Sequence, residues 1–367
     1  MKMKKILFTI LIGVLSISLI GCSLFKDDNK EPTEIQKDPT IVEIQNDITE
    51  TYKKISSGCV GIYATQGNSA SIGSGVIYKK TSSGKYYVVT NEHVIDGMNS
   101  VRIFLGGSKY YKATVIGYDK KNDIAVLSFS LDILGKDGDD IYIHDIFNYD
   151  DEIVTVGQTT LAIGCPLSLD YFNTLTTGVV SKVTKGTIQT NADINPGNSG
   201  GGLFNIAGRL IGINSSKEVT TTGTSSSGVT TEIAVEGIGF AISLDVVKKC
   251  ITDIESKTGA IDRPLLGMTV SNINVYLELP KTEDYIDILK EVGLDQGLIV
   301  VELTYEGLAR EVGIRPRDVI TKCNSEVLVS NIDLSYILNQ SLAGDTIELE
   351  VYRSSEKKML TFTITLK

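Results

Sequence analysis

The chain holds two histidines, His93 and His144, and that scarcity limits what its hydroxyl groups can do. A serine becomes an effective nucleophile when an imidazole takes its proton, so serine chemistry here must run through one of these two. His93 closes the apolar run that starts at Tyr86, where a strand ends and a turn presents side chains at a rim. His144 lies in Tyr142-Ile-His-Asp-Ile146, inside an acidic, irregular stretch, and reads as a solvated surface residue. Ser199 stands in Asn195-Pro-Gly-Asn-Ser-Gly-Gly-Gly202. Glycines on both sides permit a sharp turn that exposes the hydroxyl and aims backbone amides at one point. Those of Gly197 and Ser199, which flank Asn198, would stabilise an oxyanion. A plain glycine-rich turn uses the same letters, so the serine has to be judged by its partners.

Chain order selects them. Gly197, Ser199 and Gly201 also satisfy the G-x-S-x-G elbow, but that elbow needs a histidine after the serine and none follows His144. The order histidine, aspartate, serine remains. Asp123 follows the turn Asp119-Lys-Lys-Asn122 and opens the run Ile124-Ala-Val-Leu-Ser-Phe129. A carboxylate at the mouth of a buried strand is partly shielded from water, which suits a group that orients an imidazole. Asp96 is too close to His93 in sequence to reach around the ring easily, and Asp119 is placed to cap the turn.

These residues need rigid elements to bring them together. From Gly58 onward short β-rich runs recur: Gly58 to Ala64, Gly75 to Tyr78, Tyr86 to Thr90, Val101 to Leu105, Ala113 to Ile116 and Ile124 to Phe129. The acidic stretch Asp132 to Glu152 separates them from a second series, at Gln158 to Ile163, Leu175 to Val183, Gly201 to Phe204, Arg209 to Ile213 and Gly237 to Ile242. Regular spacing of this kind predicts all-β sandwiches or barrels. Glu218 to Gly228, rich in Thr, Ser and Gly, is expected to be a mobile surface loop. Leu244 to Thr258 has helical spacing, and Arg263-Pro264 marks a boundary beyond which the chain reads as mixed α/β.

Gly73-Ser-Gly-Val-Ile77, Val89-Thr-Asn-Glu-His-Val-Ile95, Lys121-Asn-Asp-Ile-Ala-Val-Leu127, Ala162-Ile-Gly164, Asn195 to Gly201 and Gly239-Phe-Ala-Ile242 together resemble the HtrA (DegP/DegS-like) serine proteases. The resemblance implies an all-β double six-stranded barrel of the chymotrypsin/trypsin type, with His93 as base, Asp123 as orienting acid and Ser199 as nucleophile. It implies a specificity pocket at Asp193, Ile194, Asn214, Ser215 and Gly239. Asp193, six positions before Ser199 as in trypsin, either floors that pocket and favours Arg or Lys, or turns away to serve the adjoining turn. Asn198 stands where many trypsin-like digestive enzymes carry an aspartate that pairs with a freed α-amino group; it has no charge, so activation by a new N-terminus is not expected. Leu265-Leu-Gly-Met268 looks like the carboxylate-binding loop of a PDZ domain, and Gly297 to Val301, Leu308 to Ile314, Arg317 to Ile320 and Asp345 to Arg353 follow that pattern in order. Such a domain takes peptide C-termini. Two departures stand out: the segment Asn272 to Gln296, and Cys323-Asn-Ser-Glu326 where a glycine-containing turn is usual.

The N-terminal segment reads as an address. Met1 to Lys5 is basic, Ile6 to Ile20 is apolar but short for a membrane span, and Leu19-Ile20-Gly21-Cys22 resembles a bacterial lipobox. That resemblance implies a diacylglyceryl group on Cys22 and attachment to the extracytoplasmic side of the cell membrane. The expected organisation is a signal peptide over 1–21, a polar tether over 22–50 with a short helix near Ile41 to Ile55, a protease domain over 51–260 and a PDZ-like domain over 261–367. Net charge is −10 over 367 residues. Such a surface repels phosphate backbones, which argues against nucleic acid as a partner. Cys59, Cys165, Cys250 and Cys323 show no zinc-ligand spacing and sit in apolar contexts, as buried free thiols do. No metal or cofactor motif occurs. The family resemblance further implies unfolded or misfolded polypeptides as substrates and a homotrimer as the assembly.

Overall fold

The computed structural model describes residues 41–131, 141–148, 153–216, 220–224, 230–234, 237–276 and 293–367. The leader, Cys22 and the tether up to residue 40 lie outside the described residues, as do residues 277–292 of the segment that departs from the PDZ pattern. Helix α1 occupies Ile41–Ile55, where the tether was expected to turn helical.

Six strands close the first barrel: β1 (Cys59–Gln66), β2 (Ser69–Lys80), β3 (Lys85–Thr90), β4 (Ser100–Phe104), β5 (Tyr110–Asp119) and β6 (Ile124–Ser130). Their order is β5-β4-β1-β2-β3-β6, with β6 returning to pair with β5. The second barrel is also closed. It holds β7 (Thr159–Gly164), β8 (Thr174–Thr184), β9 (Thr187–Thr190), β10 (Gly202–Asn205), β11 (Leu210–Ser215) and, after a short hairpin, β14 (Gly239–Ser243). Strand β6 shows why its sequence lacks alternation. Ala125, Leu127 and Phe129 fill the barrel interior, while Ile124 and Val126 face a second core shared with β7, β10 and helix α2 (Leu244–Lys257). Both faces are buried, so both are apolar.

Two expectations are corrected here. The Thr- and Ser-rich stretch after Ser216 is not a simple loop, because Thr220–Thr224 (β12) and Thr230–Ala234 (β13) pair as an antiparallel hairpin. Its β-branched threonines favour extended backbone as strongly as its glycines favour turns. His144 is not solvated. It is 2% exposed, its ring packs against Tyr142 and Phe204, and its amide donates to Ile77 O at 2.9 Å. Burial pushes its pKa down to about 3, because desolvation penalises the imidazolium form.

Past α2, Gly259–Ile261 (β15) runs parallel to β5. The C-terminal region is a mixed unit with its own core, which includes Leu298, Val300, Ile320, Leu349 and Val351. Its sheet is ordered β16 (Met268–Asn272), β17 (Leu298–Leu303), β18 (Val319–Cys323), β20 (Thr346–Arg353), β21 (Lys358–Thr365), with β19 (Glu326–Val327) on β18. Among the described residues, three helices accompany it: α3 (Ile273–Tyr276), α4 (Leu308–Glu311) and α5 (Asn331–Gln340). The turn at Asn324-Ser325 replaces the usual glycine with two residues of positive φ, 50° and 69°, the backbone that a tight hairpin requires. Cys59, Cys165, Cys250 and Cys323 are all free and buried.

Candidate active site

His93 sits in a single 3-10 turn, Glu92–Val94, at the end of β3. Its Nδ1 lies 2.9 Å and 2.8 Å from the two carboxylate oxygens of Asp123, and its own amide donates to Asp123 Oδ1 at 3.0 Å. Asp123 is the first residue after the Asp119–Asn122 turn and takes φ +56°, a left-handed conformation that costs a branched polar residue energy unless its surroundings fix it. They do so on three sides. Asn91 Nδ2 donates to Asp123 O at 2.9 Å, the His93 amide holds one carboxylate oxygen, and Ser215 Oγ donates to the other at 3.4 Å. Ser215, which the sequence reading placed in the specificity pocket, thus turns its hydroxyl to the acid.

Ser199 comes from the second barrel. Its turn is fastened to the first by one residue of β2 that sequence reasoning quoted within a motif but gave no role. Ser74 Oγ donates to Gly197 O at 2.7 Å and accepts from Cys165 N at 2.9 Å, and Ser74 N donates to Ser199 O at 2.8 Å. The flanking glycines make room for this contact, since a Cβ on Gly73 would lie 2.6 Å from Val94 Cγ1 and one on Gly200 2.1 Å from Ser74 O. A serine between two glycines inside a strand is the signal that could have found it.

The amides of Gly197 and Ser199 have no acceptor among the described residues. Leu167 N donates to Pro196 O at 2.7 Å. Carbonyl and N–H of one trans peptide point in opposite directions, so this bond turns the Gly197 N–H away from Leu167. Gly197 has φ +99°, and a Cβ there would meet Cys165 O at 2.2 Å. Leu167, itself at φ +64° and 70% exposed, had no role in the sequence reading. Ser199 Oγ lies 2.6 Å from Ser216 Oγ and accepts from Ser216 N at 3.2 Å. His93 Nε2 makes no hydrogen bond to a described residue.

The remaining sequence-nominated positions divide. Ile194 is buried beside Gly239, where a Cβ would lie 2.5 Å from Ile194 Cγ1, so these two define one apolar wall. Asn214 is fully buried and donates through Nδ2 to Gly202 O at 3.1 Å, a structural bond inside the barrel. Asp193 is exposed, and its side chain has no partner among the described residues. Its carbonyl accepts from Thr176 Oγ1 and from Asn198 Nδ2. In the C-terminal unit, Leu265 is exposed and Leu266 buried, with Leu266 O accepting from Ala309 N. Gly267 has φ +66° and its carbonyl accepts from Thr304 N. Strand β16, which Met268 begins, is the edge of its sheet, and Asn331 N at the start of α5 donates to Asn272 Oδ1 at its end.

Comparison with known proteins agrees with this geometry. Residues 73–213 match the trypsin-like peptidase domain. The chain is 33% identical to the serine protease Do-like HtrA of Lactococcus lactis subsp. cremoris over 96% of its own length and 92% of that protein's. It is 33% identical to the Do-like HtrB of Bacillus subtilis over 93% and 74%. The chain belongs to the HtrA family of serine proteases. The solved HtrA-type protease AlgW with a tripeptide superposes with a TM-score of 0.63 at 27% identity, over 87% of this chain and 97% of that one. The double barrel is thus that of a serine endopeptidase of the HtrA family.

Proposed function

We propose that this HtrA-family endopeptidase cleaves peptide bonds with Ser199 as nucleophile, His93 as general base and Asp123 as the acid that holds the imidazole in its productive tautomer. The observation that carries this reading is the two-point contact of His93 Nδ1 with the Asp123 carboxylate, at 2.9 and 2.8 Å. With Nδ1–H committed to Asp123, Nε2 is left as the acceptor for the Ser199 proton. Ser199 Oγ then exchanges its Ser216 partner for His93 Nε2, attacks the scissile carbonyl, and the amides of Gly197 and Ser199 receive the oxyanion. His93 returns the proton to the leaving amine, and water repeats the sequence on the acyl-enzyme. The decisive experiment is labelling with a fluorophosphonate probe. Wild type should label stoichiometrically at a single serine and Ser199→Ala should not; labelling that survives the substitution overturns the assignment.

The same proposal extends to the setting. Residues 1–21 export the chain, a lipid on Cys22 fastens it to the extracytoplasmic face of the cell membrane, and unfolded or misfolded polypeptides are the substrates. Residues 261–367 act as a PDZ-like module. There an extended peptide C-terminus adds to the free edge of β16 beside α5, with its carboxylate at Leu265–Met268. Family membership and the edge position of β16 support this part. Among the described residues no helix is long and apolar enough to cross a membrane. Metabolic labelling with palmitate, lost in Cys22→Ala, tests the anchor.

A further inference from the structure

The turn that delivers Asp123 is gripped from outside the barrels. Asp119, fully buried, accepts from the amides of Lys121 and Asn122 at 3.1 and 3.0 Å and from Asn122 Nδ2 at 2.8 Å. It also accepts from Arg263 Nε at 2.8 Å and from the Cys250 thiol at 3.4 Å. A carboxylate with no exposure stays ionised only when it is paired, and Arg263, with a side chain 1% exposed, is its counter-ion. The guanidinium reaches two further oxygen acceptors, Asp253 Oδ2 at 2.9 Å through Nη2 and Ser341 O at 3.1 Å through Nη1, and its Nη2 also donates to Cys250 Sγ at 3.9 Å. Asn122 Nδ2 makes a second bond of its own, to Asn339 O at 2.9 Å.

Asn339 and Ser341 are the last turn and C-cap of α5. The final carbonyls of a helix have no partner within it, and here that of Asn339 is capped by Asn122 of the protease and that of Ser341 by Arg263, which reaches from the start of the C-terminal region to Asp119 and Asp253 of the protease. α5 meets the protease at two other points: Tyr336 packs on the core shared by the barrels and donates to Asp245 Oδ2 at 2.6 Å, and Asp333 pairs with Lys185 at 3.4 Å. A cavity of about 350 Å³ lies between α5 and the protease, lined by Asp123 and Ser215 on one side and by Ser335, Tyr336 and Asn339 on the other. The directional bonds at Asn122 and Arg263 thus hold the turn against α5 beside a gap that apolar packing does not fill.

We infer that Arg263 and Asn122 are positioning residues for the protease reaction: through Arg263, braced on Ser341 O, and through the carbonyl of Asn339, the C-terminal domain holds the Asp119–Asn122 turn and so sets Asp123 against His93. This rests on Asp123 being the orienting acid. Asp123 keeps a left-handed φ directly after the turn, so slack in the turn passes straight to its carboxylate. A misplacement on the order of 1 Å in a catalytic constellation costs about a hundredfold in rate.

The test uses the full chain with Asn122→Ala and Arg263→Lys. Lysine keeps the charge but, as a compact point charge, cannot span three acceptors as the planar fork does. Both variants should lower kcat on a peptide substrate about ten- to a hundredfold, with KM within twofold. Fluorophosphonate labelling should slow by the same factor, and the far-downfield proton resonance of the His93–Asp123 hydrogen bond should weaken. If Arg263→Lys fails to fold, Asn122→Ala decides alone. A variant that melts earlier but keeps wild-type kcat and an unchanged downfield resonance overturns the inference. Failure of the underlying reading looks different: the resonance would then survive Asp123→Asn, or Ser199→Ala would still hydrolyse peptide.

Discussion

The two histidines of this protein are the same side chain placed in opposite surroundings. His93 stands at the rim of the first barrel, partly open to solvent, with Nδ1 on a carboxylate and Nε2 free for a proton. His144 is packed between Tyr142 and Phe204 with its Nε2 unpartnered, and a Cβ on Gly58 would lie 2.6 Å from that nitrogen. Under the proposed mechanism, one ring exchanges a proton during each turnover. The other is kept neutral by desolvation and serves as a flat filler between aromatics. The presence of histidine therefore says little; a partnered carboxylate at a solvent-facing rim is what makes the ring chemically useful.

The largest test of that contrast is deletion of the site. His93→Ala and Ser199→Ala should each reduce kcat by about four to six orders of magnitude, because the three residues act as a unit. Their melting temperatures should stay within a few degrees of wild type. Near wild-type peptide hydrolysis by His93→Ala would erase the distinction between the two rings.

Gly197→Ala probes the anion-binding half of the same region. Its new methyl group would press on Cys165 O and strain a backbone at φ +99°, which moves the Gly197 amide. Losing one such donor costs about a hundred- to a thousandfold in kcat. The measurement is steady-state turnover against circular dichroism, and full activity with an intact fold would remove Gly197 from the oxyanion site.

His144→Phe should leave kcat/KM within about twofold but change the response to acid. The folded pKa of His144, pushed down to about 3, lies below the unfolded value of about 6.5. Above pH 6.5 both states are neutral and the residue adds no pH dependence. As pH falls from there toward 3, the unfolded chain takes up a proton that the fold refuses, so stability declines by up to about 1.4 kcal/mol per pH unit. Urea unfolding at pH 7, 6, 5 and 4 should show the variant losing less stability with acid than wild type. Parallel curves would mean that the ring accepts its proton within the fold.

The smallest expected effect is at Asp193. The side chain is exposed and its carbonyl already serves Thr176 and Asn198, while Ile194 and Gly239 form an apolar wall. Asp193→Ala should leave the ratio of Val to Arg cleavage unchanged within about threefold, in matched peptides that differ only at the cleaved residue. A strong loss of Arg cleavage in the variant would place that carboxylate in the pocket.

Much of the site was legible in the sequence because its constraints are local or ordinal. Chain order required an aspartate between His93 and Ser199, strand context favoured Asp123 over Asp96 and Asp119, and the glycines around Ser199 announced a backbone that tolerates close approach. Strand positions followed from apolar runs and turn residues, as in β3 and β6. Contacts between residues far apart in sequence were not legible. Nothing in the letters Gly73-Ser-Gly75 says that Ser74 will meet Gly197 at a separation of 123 residues, or that Ser215 will reach Asp123 across the barrels. His144 was misread because an acidic neighbourhood in sequence is not a solvated neighbourhood in space. The burial of that ring is decided by Tyr142 and Phe204, and the cross-domain grip of Arg263 and α5 on the Asp119–Asn122 turn exists only once both domains have folded. Sequence thus determined which groups could carry the chemistry and on which elements they ride, through local propensity and chain order. Tertiary packing alone decided which of them are paired, desolvated or held in strain, because those properties depend on neighbours that the chain supplies from elsewhere.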